Sequence, residues 1–371
     1  MADEEGQTPP PAEEIPADDP GEGIPPPPPA DETPAAAEPP ADPPSDDASA
    51  TSPPEQSNAS PAASPRKKHR KRGDLQLEHA RIGFMGAGKM TESLVDGLIA
   101  HGNIPPKHIF VAAPSKKNLE TFKNKGCHAS KRLIDIFSKY DCDVIFLCFH
   151  GSVIKNAFKQ GGSRPFPITT NYIPFQKHPI YILSLVSGVD LKEIKECLLN
   201  PEHPERYILE MHRVMINTAS AFGKGMVAVD CEPDSSKLSN PIRTLLQSLT
   251  PENQNQRLEY VPEGQMDAAC AVGGSGLAFS YYFIGALADG AFKCGLSKPL
   301  ALKFASKTTL CAAQVMIDSG KHPSELRDDV TAPAGAAVFG IHILDRAEVA
   351  SGITAAVEAS HRRAEELSQA D

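Results

Sequence analysis

Gly86, Ala87 and Gly88 follow a short apolar run, Arg81 to Met85, and precede a stretch with helical spacing. Glycines between a strand and a helix have distinct physical tasks. Gly86 permits the tight turn, and Gly88 lets the backbone approach a pyrophosphate at the helix N-terminus, where free N–H groups and the helix dipole favour negative charge. Thr91 stands at the third small position of the pattern. On this reading Gly86, Ala87, Gly88, Lys89 and Met90 hold a dinucleotide; the alternative is a turn and nothing more. The next strand ends in "AAPSKKN", with Ser115, Lys116 and Lys117 and no acid. An acidic side chain there takes ribose hydroxyls and a basic one takes a 2′-phosphate. Ser115 and Lys116 therefore favour NADPH, with NADH possible, unless the lysines are only solvated.

Two further passages, "AVGGSGLAF" (271–279) and "LRDDVTAPAGAAVFGIHILD" (326–345), are rich in glycine and alanine between helical segments. Small side chains expose backbone N–H groups, so two such turns can bind a small carboxylate without a cation; close helix packing is the competing explanation. His150, His212 and His342 read as structural. No Ser-His-Asp arrangement and no metal-ligand spacing is present, so no metal is expected.

These residues need a frame. From Arg81, apolar runs alternate with helical segments, which predicts a doubly wound, mostly parallel α/β sheet of the Rossmann type. Strands are expected at 81–85, 108–113, 143–149, 180–186, 206–211 and 225–230. "DVIFLCF" is continuously apolar, as in a strand covered on both faces. Met90, Leu94, Val95, Leu98 and Ile99 share one helix face that Gly102 can end, and 118–125 is a second helix. After Pro262 the chain becomes Ala-rich and helical, with Ser297 and Gly320 bounding one helix, Pro323 opening another, and 338–344 and 351–367 forming two more. Apolar helices in about 109 residues find too little cover in one chain, so an all-α dimerisation domain is expected. The domains divide as 1–79, 80–262 and 263–371.

Residues 1–65 hold 19 of the 35 prolines and 15 acidic residues, without Lys, Arg or an aromatic ring. Such a segment cannot bury enough apolar surface to offset its ordering entropy, and reads as a disordered N-terminal extension. "RKKHRKR" (66–72) adds six positive charges, leaving the first 73 residues at −9 of the total −10. The remainder is near neutral and carries no net signature of nucleic-acid binding. The basic cluster reads as solvated linker, a nuclear-import signal or a nucleic-acid contact. No run of about 18 apolar residues marks a membrane span. The eight scattered cysteines look like small buried hydrophobes in a reducing compartment.

Together these passages resemble the pyrroline-5-carboxylate reductase family. "IGFMGAGKM" looks like its first βα turn, and "RVMINT" (213–218) is similar to its Arg-x-Met-x-Asn-Thr segment. "GGSGLAF" resembles its Ser-Gly-Ser-Gly-Pro-Ala-Tyr stretch, and "DVTAPAGAA", "HILD" and "VEAS" its C-terminal signature. The similarity runs from about residue 80 to 368, with an insertion at 161–179. It implies a Rossmann domain, a helical domain interlocked in a homodimer that can extend to a decamer, and a small-molecule imine substrate. The implied reaction is hydride transfer from reduced nicotinamide to the C=N carbon of 1-pyrroline-5-carboxylate, giving L-proline. A protonated imine accepts hydride readily, so the protein has mainly to position two ligands and exclude water.

Carried over residue by residue, Asn217 lies on the cofactor side, and Gly274, Ser275, Gly276, Pro333, Gly335 and Ala336 on the substrate side. Ala337 stands where the family has a threonine that hydrogen-bonds the ring nitrogen. Ala337 and Thr331 are the candidate catalytic positions. Other departures are Ala332 for serine, Ala334 for glycine, Asp329 for asparagine, Gly273 for serine, Leu277 for proline, His150-Gly151 for Lys-Pro, and Ala219 for proline. Losing one hydroxyl to a cationic nitrogen costs about 1.5–3 kcal/mol. Asp329 would repel a carboxylate unless it faces away or pairs with Arg327. Two alternatives stay open: a related imine or carbonyl reductase with a bulkier, less polar substrate, and a nucleotide-binding pseudoenzyme scaffold whose proline-rich tail recruits SH3- or WW-type partners. The expected location is the cytosol, with mitochondrial and nuclear alternatives.

Overall fold

The computed structural model describes residues 75–151, 179–198, 209–231, 238–251 and 258–369. The chain divides into two units, Met1–Arg66 and Lys67–Asp371, and the described residues belong to the second. The acidic tail, the basic cluster and nearly all of the insertion at 161–179 lie outside them. Leu75 and Leu77 pack against the core and Leu77–His79 forms a 3-10 turn, so the folded part begins a few residues earlier than the expected boundary at 79.

The strands are β1 (Ile82–Met85), β2 (Ile109–Ala112), β3 (His128–Ser130), β4 (Val144–Leu147), β5 (Ile180–Ser184), β6 (Leu209–Ile216), β7 (Val227–Val229) and β8 (Leu258–Tyr260). They form one sheet in the order 3-2-1-4-5-6-7-8, parallel except for the β6–β7 pair. The helices covering it include α1 (Lys89–Ala100), α2 (Lys116–Asn124), α3 (Asp135–Ser138), α4 (Leu191–Leu198) and α5 (Asn240–Gln247). Successive strand residues point to opposite faces. Phe84 and Phe146 stack at 4.9 Å on the face that packs Leu94, Val95 and Leu98 of α1, while Met85, Ile145 and Leu147 meet Ile136 and Ile194 on the other. That double cover explains why the parallel strands read as unbroken apolar runs.

The sequence reading missed β3 and β8, which are three-residue edge strands too short and polar to show a pattern. It ended the fifth expected strand at residue 211, whereas β6 continues through Arg213 to Ile216. Helix α2 begins at Lys116, two residues early. Gly102 does not end α1 through a left-handed conformation; Asn103 takes that role at φ 52°. Gly102 is small for another reason: a Cβ there would meet the Leu98 carbonyl oxygen at 2.8 Å.

The rest of the chain is helical: α6 (Met266–Ala269), a π-helical segment (Cys270–Ser275), α7 (Gly276–Lys293), α8 (Lys298–Ser319), α9 (Pro323–Asp329), α10 (Ala336–Arg346) and α11 (Val349–Gln369). Ser297 and Gly320, at φ 65°, bound α8 as expected. Residues 271–275, expected as a turn between helices, lie inside a continuous helix, because the small residues allow a wider turn and do not break the hydrogen-bond ladder. Large apolar side chains on these helices face outward, including Tyr282 at 83 % exposure, Phe339 at 67 % and Leu310 at 66 %. Contrary to the expectation of no membrane-length run, Glu263–Lys293 is long and apolar enough to cross a membrane by length and composition alone. The cysteines are also less uniform than expected: Cys127, Cys142 and Cys231 are buried, but Cys294 and Cys311 are exposed, and all eight are free thiols.

Candidate active site

The glycine loop leaves the C-terminal end of β1, the strand flanked by β2 and β4. Gly86 has φ 115°, and a Cβ there would sit 2.2 Å from the Cys148 carbonyl oxygen. Glycine is required there on both counts. Gly88 is the N-cap of α1 and has open space on its Cβ side, so the first-turn amides of Lys89 and Met90 are left accessible to an anion. Thr91 is fully buried and donates its hydroxyl to the Gly86 carbonyl at 3.0 Å, turning the larger third residue into a brace. The Met90 side chain packs into the core. Lys89 reaches outward to Glu92 at 2.9 Å.

Ser115 caps α2 through its backbone conformation and Lys116 is exposed in the first turn, so both stand where the strand-end argument put them. Sequence reasoning did not single out Asn118. Its side-chain amide donates to the Ala87 carbonyl at 2.8 Å and ties α2 to the glycine loop. These features suit a dinucleotide: a glycine-lined approach, a helix N-terminus for its phosphates, and a lysine at the ribose end.

The "RVMINT" segment ties the sheet to the helices. Arg213 is 5 % exposed and forms an ion pair with Asp267 of α6 at 2.7 Å. The Met215 side chain fills the space beside Gly273, where a Cβ would be 2.3 Å from its methyl group. Asn217 donates to the Gly273 carbonyl at 3.0 Å and accepts from the Met226 N–H at 3.3 Å. Both ends of the Asn217 amide are thus engaged within the protein and hold the π-helical segment in place. At Gly273, where the family has serine, the Met215 side chain occupies the space a Cβ would need. Gly274 has no heavy atom within 4 Å of its Cβ position, and Ser275 accepts a hydrogen bond from Ser360 of α11 at 2.7 Å.

In the loop before α10, the Gly335 N–H donates to the Ala332 carbonyl at 2.9 Å, closing a turn over Pro333 and Ala334. Ala334 adopts φ 57°, the conformation that glycine supplies in such turns, so the loop keeps its shape with an alanine in a costly position. Ala336 and Ala337 open α10, exposed and without side-chain donors. Thr331 donates its hydroxyl to the Arg327 carbonyl at 2.6 Å, which anchors the loop. Asp329 pairs with Lys321 at 3.0 Å and not with Arg327, which pairs with Asp328.

His212, expected to be structural, is buried between Asp230 (2.8 Å) and Glu210 (3.6 Å). Burial lowers its basicity, but hydrogen bonding and charge from the two carboxylates outweigh it and push its pKa up to about 9. No group of three or more His, Cys, Asp or Glu side chains suited to a metal occurs among the described residues.

Comparison with known proteins agrees with this geometry. Residues 263–367 match the family model described as pyrroline-5-carboxylate reductase dimerisation, and 81–166 match one described as NADP oxidoreductase, coenzyme F420-dependent. Pyrroline-5-carboxylate reductase 3 of Danio rerio is 33 % identical over 77 % of this chain and 91 % of its own length. The Arabidopsis thaliana pyrroline-5-carboxylate reductase is 31 % identical over 80 % of this chain and 98 % of its own. The crystal structure of Plasmodium falciparum pyrroline carboxylate reductase with NADP bound shares the fold at a TM-score of 0.60, with 21 % identity, covering 79 % of this chain and all of the other. The chain belongs to the pyrroline-5-carboxylate reductase family.

Proposed function

We propose that this protein reduces 1-pyrroline-5-carboxylate to L-proline with NADPH. The observation that carries the reading is the loop at 332–335, which keeps its closed turn although Ala332, Ala334 and Ala337 have replaced the family's polar and glycine residues. When bound, the reduced nicotinamide supplies the hydride. The chain's own residues hold and orient. Gly86, Gly88 and the amides of Lys89 and Met90 seat the pyrophosphate, and Lys116 with Ser115 meets the ribose phosphate. Backbone donors at Ala336 and Ala337, with the Ser275 hydroxyl, take the substrate carboxylate, while the Gly335 N–H keeps the loop closed through the Ala332 carbonyl. No nucleophile is required, because an iminium carbon is electrophilic enough to accept hydride once aligned. Ala337 offers no hydroxyl to the ring nitrogen, so turnover is about ten- to a hundredfold below that of a threonine-bearing relative.

The active unit is a homodimer in the cytosol, in which a second copy covers the outward apolar residues of α7, α8 and α10. Spectroscopic NADPH oxidation by the full-length chain with 1-pyrroline-5-carboxylate, with NADH in parallel, tests the reading. Saturable turnover that rises in Ala337→Thr supports it. NADPH binding without turnover in either protein would sink it in favour of another imine or a scaffold.

A further inference from the structure

Hydroxyls in the C-terminal helices mostly turn back on their own helix: Ser280 donates to Gly276 O, Thr309 to Ala305 O and Thr354 to Ala350 O, at 2.9, 2.9 and 3.1 Å. Ser360 instead donates across to the Ser275 hydroxyl at 2.7 Å, linking residues 85 positions apart. Ser275 closes the π-helical segment, where the Gly276 N–H reaches back five residues to the Ala271 carbonyl. Such widened turns expose backbone and side-chain groups that a regular helix would hide, and are frequent at functional sites. The same segment is pinned from the sheet by Asn217, so one stretch is held from two sides by elements distant in sequence.

We infer that Ser360 is a positioning residue for Ser275. A hydroxyl that accepts one hydrogen bond keeps its proton to donate, and polarisation by the incoming bond makes it a better donor. Ser360 fixes the Ser275 rotamer and leaves its proton directed at the carboxylate of a cyclic imino acid. The inference rests on the proposed function, in which Ser275 is a substrate contact. It adds that the C-terminal helix sets substrate affinity without touching substrate.

Steady-state kinetics of the full-length protein test it, with each ligand varied while the other saturates. Ser360→Ala should raise KM for 1-pyrroline-5-carboxylate about tenfold, with kcat and the KM for NADPH near wild type. Ser360→Thr, which restores the donor, should recover the wild-type KM. The Ser275→Ala/Ser360→Ala double variant should be no worse than Ser275→Ala alone, because one residue acts through the other. An unchanged KM in Ser360→Ala, additive losses, or a parallel fall in kcat, NADPH affinity and melting temperature in both Ser360 variants would overturn it. An inactive wild type would sink the proposed function and this inference with it, whereas an active wild type indifferent to Ser360→Ala would sink this inference alone.

Discussion

Arg213, in the middle of β6, and Asp267, in the first turn of α6, form a 2.7 Å ion pair that joins the sheet to the helices. The same Asp267 oxygen accepts the Gly188 N–H at 2.9 Å. Arg213 is 5 % exposed, so that carboxylate is what compensates its charge. Removing one partner of a buried pair leaves the other charge uncompensated. Asp267→Ala should therefore destabilise the protein by about 3–5 kcal/mol, measured as a lower denaturant midpoint. A loss under 1 kcal/mol would mean that water reaches Arg213.

Ala334 holds the left-handed conformation at φ 57°. Glycine adopts it without the Cβ penalty of roughly 1 kcal/mol, partly offset by glycine's greater freedom in the unfolded chain. Ala334→Gly should slow proteolysis at the loop while leaving the rate of NADPH oxidation within about twofold. Faster cleavage would show that alanine stiffens the turn.

Two residues near the ribose end should separate kinetically. Lys116→Ala should weaken NADPH and spare NADH, because only the former carries the 2′-phosphate. Asn118→Ala removes the bond to the Ala87 carbonyl and should weaken both cofactors by a similar factor, about three- to tenfold. Titration of each variant with each cofactor reads the pattern directly. Equal effects of Lys116→Ala on both cofactors would remove it from phosphate recognition.

The environment of His212 predicts a pH dependence of stability. Its pKa is about 9 when folded, against 6.5 ordinarily, so the folded state binds the extra proton more tightly. The stabilisation is complete below pH 6.5 and is lost as pH rises through about 9. Melting temperatures of wild type and His212→Gln should differ most below pH 6.5 and converge toward pH 9.5. A constant gap across that range would mean that the interaction is not ionic.

The strand-to-helix glycine loop, the continuous apolar strands and the helical C-terminal part were all legible in the sequence, because each rests on local rules. Gly86 is dictated by backbone conformation, and the 2- and 3.6-residue periods follow from which faces must be buried. Ser297 and Gly320 marked the ends of α8 for the same reason. The short edge strands β3 and β8 escaped because three residues carry no period. What only the tertiary structure decided were the partnerships between distant residues. Arg213, Met215 and Asn217 stood out in the sequence as a signature segment, yet Asp267 and Gly273 are what give them their tasks. Asn118 had no local feature to mark it until the Ala87 carbonyl took its side-chain amide. A hydrogen bond between residues 85 apart, such as Ser360 to Ser275, depends on how two helices pack, and neither propensity nor spacing along the chain specifies that.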